Sequence, residues 1–321
     1  MQVIEGINAL PVFHNPVITI GSFDGYHKGH KAIVDRTCEI AKEVNGQSVV
    51  VTFDPHPRSI IYPSDQGLKL LSTKEEKIEL IGLSAVDFLV IVPFTVEFSQ
   101  LIADEYIEKF IVQYFRPHTI VLGHDHRFGL NRLGDINFLQ CYGEKFGYQV
   151  DQVSEQLVDN TIVSSTKVRN ALMDTQVELA LEYSGHPYLL QGKVVPGDQI
   201  GKSLGFPTAN LQIDNPLKLV PPAGIYAVYA HIEKAIYPAM LYIGDRPAIK
   251  GNHNTSIEIN ILNFEADLYD TDLKVELVSF IRPDMDFDNM NLLKQQMQND
   301  RVVITDLLQH RPSQYVANAE A

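Results

Sequence analysis

Apolar positions in the first half of the chain fall into short unbroken runs separated by helix-spaced segments. "PVITI" (16–20), "SVVVTF" (48–53), "VDFLVIVPF" (86–94) and "HTIVLG" (118–123) are continuous enough to be strands buried on both faces. Between them, "KAIVDRTCEIAKEV" (31–44) and "LIADEYIEKFIVQY" (101–114) carry apolar residues at helical spacing. "STKEEKIELI" (72–81) begins with a serine N-cap position and has acidic residues in its first turn. This alternation predicts a parallel sheet with helices on both faces.

The pattern changes near residues 183–190. "YLLQGKVV", "GIYAVYAHI" (224–232), "YPAMLYIG" (237–244), "SIEINILNF" (256–264) and "LKVELVSFI" (273–281) are short alternating segments separated by turn residues. They predict a small antiparallel β-barrel. A final helix is expected over 288–310, and "RPSQYVANAEA" reads as a flexible tail. The expected fold class is α/β, with a Rossmann-like parallel sheet followed by the barrel. The expected divisions are 1–184, 185–310 and the tail 311–321.

Composition narrows the classes. A length of 321 residues suggests two domains, and 45% hydrophobic residues suffice for two cores. A net charge of −14, from 40 acidic against 26 basic residues, argues against a nucleic-acid or acidic-membrane surface. Cys38 and Cys141 make no disulfide framework and fit a reducing compartment. The N-terminus lacks a basic and then apolar leader, and no apolar run approaches the ~18 residues of a membrane helix. A cytoplasmic protein is expected, with no membrane partner.

The loop "GSFDGYHKGH" (21–30) joins a predicted strand to a predicted helix, where ligands bind in open α/β sheets. Gly21, Gly25 and Gly29 permit tight turns, and the helix N-terminus offers unpaired N–H groups to an anion. Three readings of His27 and His30 compete with a chance pair of surface histidines. A zinc pair would want a third ligand and the i, i+4 spacing of a helical metal pair. A general base has no proton to take if the nucleophile is already a phosphate. Two imidazoles beside a helix N-terminus can converge on phosphate oxygens.

"GSFDGYHKGH" resembles the phosphate-binding motif of the nucleotidylyltransferase superfamily. That resemblance implies that His27 and His30 stabilise the transferring α-phosphoryl of ATP, within a pocket including Gly21, Phe23 and Asp24. Downstream, "VSSTKVR" (163–169) resembles a second element of the superfamily, implying phosphate contacts from Ser164, Ser165, Thr166 and Arg169. "VVVTFDPHPRSI" (49–60) and "VLGHDHRFGLNRLGDI" (121–136) resemble loops of the adenylyltransferase module of bacterial flavin synthetases. There they help form the flavin and ATP pockets, which points to His56, Asp125 and Phe128. Taken alone, His56 reads equally well as a turn histidine fixed by Pro55 and Pro57. Members of the family usually carry an aromatic residue where His126 stands.

"VVPGDQIGKSLGFPTANL" (194–211) holds a glycine-rich loop with Gly197, Gly201, Lys202 and Gly205, ending at Pro207. Thr208 and Asn210 alternate in an extended segment and so face one side, as suits a Mg2+ that bridges substrate phosphates. A polar turn entering a barrel strand would read the same way. The run resembles the signature of riboflavin kinases, and the segments to residue 300 follow in that family's order. The whole chain thus resembles the bacterial bifunctional riboflavin kinase/FMN adenylyltransferases. The resemblance implies ATP, riboflavin and FMN as substrates and Glu258 as the base. Its position between apolar strand residues fits a carboxylate aimed into the barrel. Without the resemblance, the solvent face of an alternating strand is the better reading. Lys202, Ala248, Asn260, Asn263 and Asp270 replace residues common in the family. A nucleotidylyltransferase for another phosphorylated metabolite, or a flavin-binding regulatory protein with an eroded kinase site, stays open on the sequence.

Overall fold

A computed structural model describes residues 1–65, 67–159, 161–197, 205–246 and 254–314. The chain divides into two compact units, Met1–Ser164 and Ser165–Ala321.

The first unit is built on six parallel strands: β1 Gln2–Glu5, β2 Val17–Ile20, β3 Ser48–Asp54, β4 Phe88–Pro93, β5 Thr119–Gly123 and β6 Gln149–Val153. Their order is β1-β4-β3-β2-β5-β6. Every residue of β2 is buried, as are the first six of β3, because helices cover both faces. One face packs Ile18, Val49, Val51, Val90 and Ile120 against the aromatic residues of 106–115. The other packs Val50, Leu89 and Ile91 against Val34, Leu80 and Ile81.

After β4 the chain crosses back and adds β5 on the far side of β2. Loops leaving β2 and β5 therefore diverge at the carboxyl edge and open the crevice where such sheets bind ligands. The helix expected over 101–114 runs from Ala103 to Phe115 with a π-helical segment, Tyr106–Val112, in its middle. The helix expected over 72–81 spans Lys74–Gly82, and its cap is Thr73 rather than Ser72. Thr73 and Glu76 complete a capping box, whereas the Ser72 hydroxyl accepts from the Gly25 N–H. A short hairpin, β7 Leu157–Val158 and β8 Thr161–Ile162, precedes the end of the unit.

The second unit opens with helices Ser165–Met173 and Val177–Ser184. The barrel follows: β9 Tyr188–Val195, β10 Ala209–Gln212, β11 Gly224–Ile232, β12 Ala235–Arg246, β13 Asn254–Ile261 and β14 Asp272–Pro283. It closes in the order β10-β13-β12-β11-β14-β9, with every pair antiparallel. Tyr226, Val228, Leu241, Ile259 and Leu277 fill it. The outward-facing Ile225, Ala227, Tyr229 and Met240 pack under the C-terminal helix Met290–His310 through Ile304 and Leu308. Asp300 of that helix accepts three hydrogen bonds from the Arg282 guanidinium on β14.

Residues 311–314, the start of the expected tail, are held to the second unit. Ser313 donates to the buried Glu276, and Arg311 bonds Glu178 at 2.8 Å. Residues 315–321 lie outside the described set.

Candidate active sites

In the first unit the site forms on the loop from β2 into the helix Lys28–Glu43. This loop is bent sharply, with positive φ at Phe23 (47°), Gly25 (76°) and Tyr26 (36°). Gly25 is required twice over: its φ suits glycine, and an added Cβ would lie 2.6 Å from Leu71. Asp24 fixes the loop from below, its Oδ1 accepting from the N–H groups of Leu71 (2.9 Å) and Ser72 (3.1 Å).

His27 is the helix N-cap and is buried; its Nδ1 accepts from the His30 N–H at 3.4 Å. That contact leaves the proton of the neutral ring on Nε2, a donor. The His30 ring stacks on it, centroids 3.7 Å apart, and meets the edge of the buried Phe23 at 5.2 Å. Phe23 thus packs beneath the pair. Burial, His27 and Lys77 together hold His30 well below the usual histidine pKa, so its ring is neutral near pH 7. Among the described residues, buried His30 Nδ1 has no hydrogen-bond partner. No acidic residue stands in the first turn of the helix, so its positive end is uncancelled. An anion with several acceptor oxygens matches these donors, whereas no group of three or more metal-ligating side chains occurs among the described residues.

The segment holding Ser164 enters beside this loop: a Cβ added at Gly29 would lie 3.1 Å from His27 and 3.9 Å from the Val163 carbonyl oxygen. Ser165, Thr166 and Arg169 stand on the first helix of the second unit, where Arg169 donates back to the Ser165 carbonyl at 3.4 Å. His56 caps the helix Pro57–Ile61, its Nδ1 accepting from the Arg58 N–H, at the carboxyl edge of β3. Asp125 is exposed on the loop after β5. Phe128 is buried, stacks on Tyr106 at 5.1 Å and covers Gly134. His126 stacks beside it, and burial pushes its pKa down to about 4.

In the second unit β10 and β13 assemble the other candidate group. Asn210 stands opposite Glu258 in the ladder. Thr208 Oγ1 donates to Glu258 Oε2 (3.2 Å), and Ser256 Oγ donates to Oε1 (3.1 Å). Ser256 was not singled out from the sequence; its i−2 position on the same strand face was the available signal. The expectation that Glu258 points into the barrel is corrected by the register. Glu258 pairs with Tyr242, whose side chain packs with the outer, helix-facing cluster, so the carboxylate lies on the outer face. The interior is taken by the intervening Ile257, Ile259 and Ile261.

Gly197 lies directly against the Asn210 side chain, leaving no room for a Cβ. Gly205 has φ 88°. Pro207 offers its carbonyl to Asn260 Nδ2 at 2.8 Å, so Asn260 pins the segment that carries Thr208. Asn263 and Asp270 occupy left-handed backbone (φ 57° and 61°), which Asn and Asp tolerate. None of these three departures removes a member of the Thr208, Asn210 and Glu258 group. Gly201, Lys202 and Ala248 lie outside the described residues.

The two units thus pair a phosphate-loop α/β sheet with a small closed barrel carrying a carboxylate beside oxygen donors. The FAD synthetase family model matches residues 11–167, and the riboflavin kinase family model matches 184–308. Three curated proteins are each called a bifunctional riboflavin kinase/FMN adenylyltransferase. That of Pseudomonas fluorescens is 34% identical over 92% of this chain and 94% of its own. Those of Listeria monocytogenes and Escherichia coli K12 are both 32% identical, covering 89% and 94% of this chain and 90% and 96% of theirs. The chain belongs to the bifunctional riboflavin kinase/FMN adenylyltransferase family. A Streptococcus pneumoniae crystal structure, described as a macrolide-efflux protein, matches with TM-score 0.86 and 27% identity over 95% of this chain and 99% of its own. Here no helix among the described residues is long and apolar enough to cross a membrane.

Proposed function

We infer that this chain converts riboflavin and ATP to FMN and ADP, then joins FMN to the AMP part of a second ATP, giving FAD and pyrophosphate. Residues 1–184 carry the adenylyl transfer, residues 185–310 the kinase step, and the setting is the cytoplasm. The observation that carries the reading is the stacked His27/His30 pair at a helix N-terminus beside the sheet's switch point.

In adenylyl transfer an oxygen of the FMN phosphate attacks the α-phosphorus, and the bond to the bridging oxygen of pyrophosphate breaks. The nucleophile is already anionic, so no base is needed. His27 Nε2–H and the His30 ring donate to the α-phosphoryl oxygens as charge builds on them. Ser164, Ser165, Thr166 and Arg169 retain the leaving pyrophosphate. His56, Asp125 and Phe128 line the flavin and nucleotide pockets.

In the kinase step Glu258 accepts the proton of the ribityl 5′-hydroxyl as its oxygen attacks the γ-phosphorus, and ADP leaves. Ser256 and Thr208 aim the carboxylate. Gly197, Gly201, Lys202, Gly205 and Pro207 form the nucleotide loop. The Thr208 hydroxyl and Asn210 amide are hard oxygen donors beside a carboxylate, a set that fits Mg2+ keeping several waters. Bound there, Mg2+ would neutralise phosphate charge.

Incubating the purified chain with riboflavin, ATP and Mg2+ and separating the flavins by chromatography tests the whole reading. FMN should appear first and FAD after it. FMN that never gives FAD rejects the assignment of the first unit.

A further inference from the structure

One buried cation in the first unit has no part in the steps above. Lys77 faces inward from the helix Lys74–Gly82 and is 7% exposed. Its Nζ donates to Thr52 Oγ1 at 3.4 Å and to the Phe53 carbonyl at 3.5 Å, both on β3 near its carboxyl end. These bonds are long, and among the described residues no carboxylate lies within ion-pair distance of the amine. Asp24 and Asp54 attract it only from farther away, and burial lowers its pKa.

Burying an ammonium this way is costly, and an apolar side chain of the same volume is often neutral or stabilising in such a place. What distinguishes the position is where its contacts lead. The Thr52 hydroxyl accepts from Lys77 and donates to the Ser22 carbonyl at 3.2 Å, inside the loop that leads into His27 and His30 at the helix N-terminus. The capping box of Thr73 and Glu76 anchors the start of the helix that bears the amine.

We propose that Lys77 is a positioning residue for adenylyl transfer, setting the phosphate loop through Thr52 and Ser22 and adding fixed positive charge behind it for the nucleotide phosphates. The proposal rests on reading the His27/His30 loop as the phosphate site. A polyanionic ligand offsets the burial of a lone ammonium, which an empty scaffold would not.

The test uses the full chain carrying Lys77→Met or Thr52→Val. Lys77→Met should keep riboflavin phosphorylation and leave the thermal midpoint equal or higher. FAD formation should fall by about 10- to 100-fold in kcat/KM for ATP, mostly through KM. The His30 ring, which stacks on His27 and feels the Lys77 charge, should titrate at higher pH by NMR once that charge is gone. Thr52→Val, which keeps the charge and cuts the relay, should lower kcat more than it raises KM. FAD formation within about twofold of the parent in Lys77→Met overturns the proposal. So does a fall in FAD formation accompanied by a lower midpoint and an unchanged His30 titration, the signature of a purely structural lysine. His27→Ala run in parallel separates the two claims, because an active His27→Ala would reject the phosphate-loop reading itself.

Discussion

The imidazoles of His27 and His30 lie face to face, 3.7 Å between centroids and 18° from parallel. Two rings so close cannot both carry a proton charge cheaply, and His30 is further depressed by burial and by Lys77. His30 is therefore a neutral ring resting on Phe23, and His27 beside it is fixed as the helix cap. Replacing either with Ala removes one donor to the α-phosphoryl. FAD formation should drop by about 10²- to 10³-fold while riboflavin phosphorylation is unchanged, as separate assays of the two steps will read.

His126 makes stability depend on pH. Its pKa falls from the ordinary 6.5 to about 4 on folding, chiefly by burial, with Arg132 acting the same way and Asp125 opposing. Below 6.5 the unfolded chain binds a proton that the folded chain refuses, so stability falls with pH. The contribution is complete above 6.5 and is lost progressively down to about 4. His30 adds to the same trend. His126→Phe, which keeps a ring beside Phe128, should flatten the urea midpoint between pH 6.5 and 4.5. An unchanged slope would show that His126 does not contribute.

The parallel sheet, the barrel and the final helix were legible because buried strands and helix faces leave strong apolar patterns. β6 Gln149–Val153 ("QVDQV") and β1 Gln2–Glu5 ("QVIE") were not, since each is an edge strand with one partner and exposed polar positions. The helix Ile136–Phe146 buries only Leu139 and Gly143, too little for a clear stripe. The chemical residues were readable as motifs, but their supports were not. Lys77 sits in "KEEK", where nothing marks one lysine as buried, and the outward face of Glu258 depends on which side of the barrel meets the C-terminal helix.

Glu258 is held at both oxygens, by Ser256 and by Thr208. Glu258→Gln removes the base and should abolish most riboflavin phosphorylation, a loss of about 10²- to 10⁴-fold, while added FMN is still converted to FAD. Ser256→Ala leaves the base present with one oxygen unheld, so a loss of about tenfold in kcat with little change in KM is expected. Equal losses in both variants would mean that Ser256 does more than aim the carboxylate.

Gly197 should be irreplaceable for a steric reason. Its α-carbon abuts the Asn210 amide, and any Cβ must displace that side chain, which belongs to the residue paired with Glu258 in the ladder. Gly197→Ala should therefore lower kinase activity and cost about 1–3 kcal/mol of barrel stability, with adenylylation intact. A crystal structure of the variant should show Asn210 displaced.

The C-terminal segment beyond the final helix closes over a buried acid. Glu276 is 1% exposed and accepts from the Ser313 hydroxyl and the Gln314 N–H (3.0 Å), with His231 Nε2 3.2 Å away. Tyr229 reinforces the same closure from β11, donating to the carbonyls of Leu308 and Arg311. Ending the chain at Pro312 strips two donors from a carboxylate that water reaches poorly, at a cost of about 1–3 kcal/mol. Tyr229→Phe should cost about 1 kcal/mol. Because both changes act on one closure, the double variant should lose less than the sum of the two in a denaturant titration. Strict additivity would show that the tail and Tyr229 hold the barrel independently.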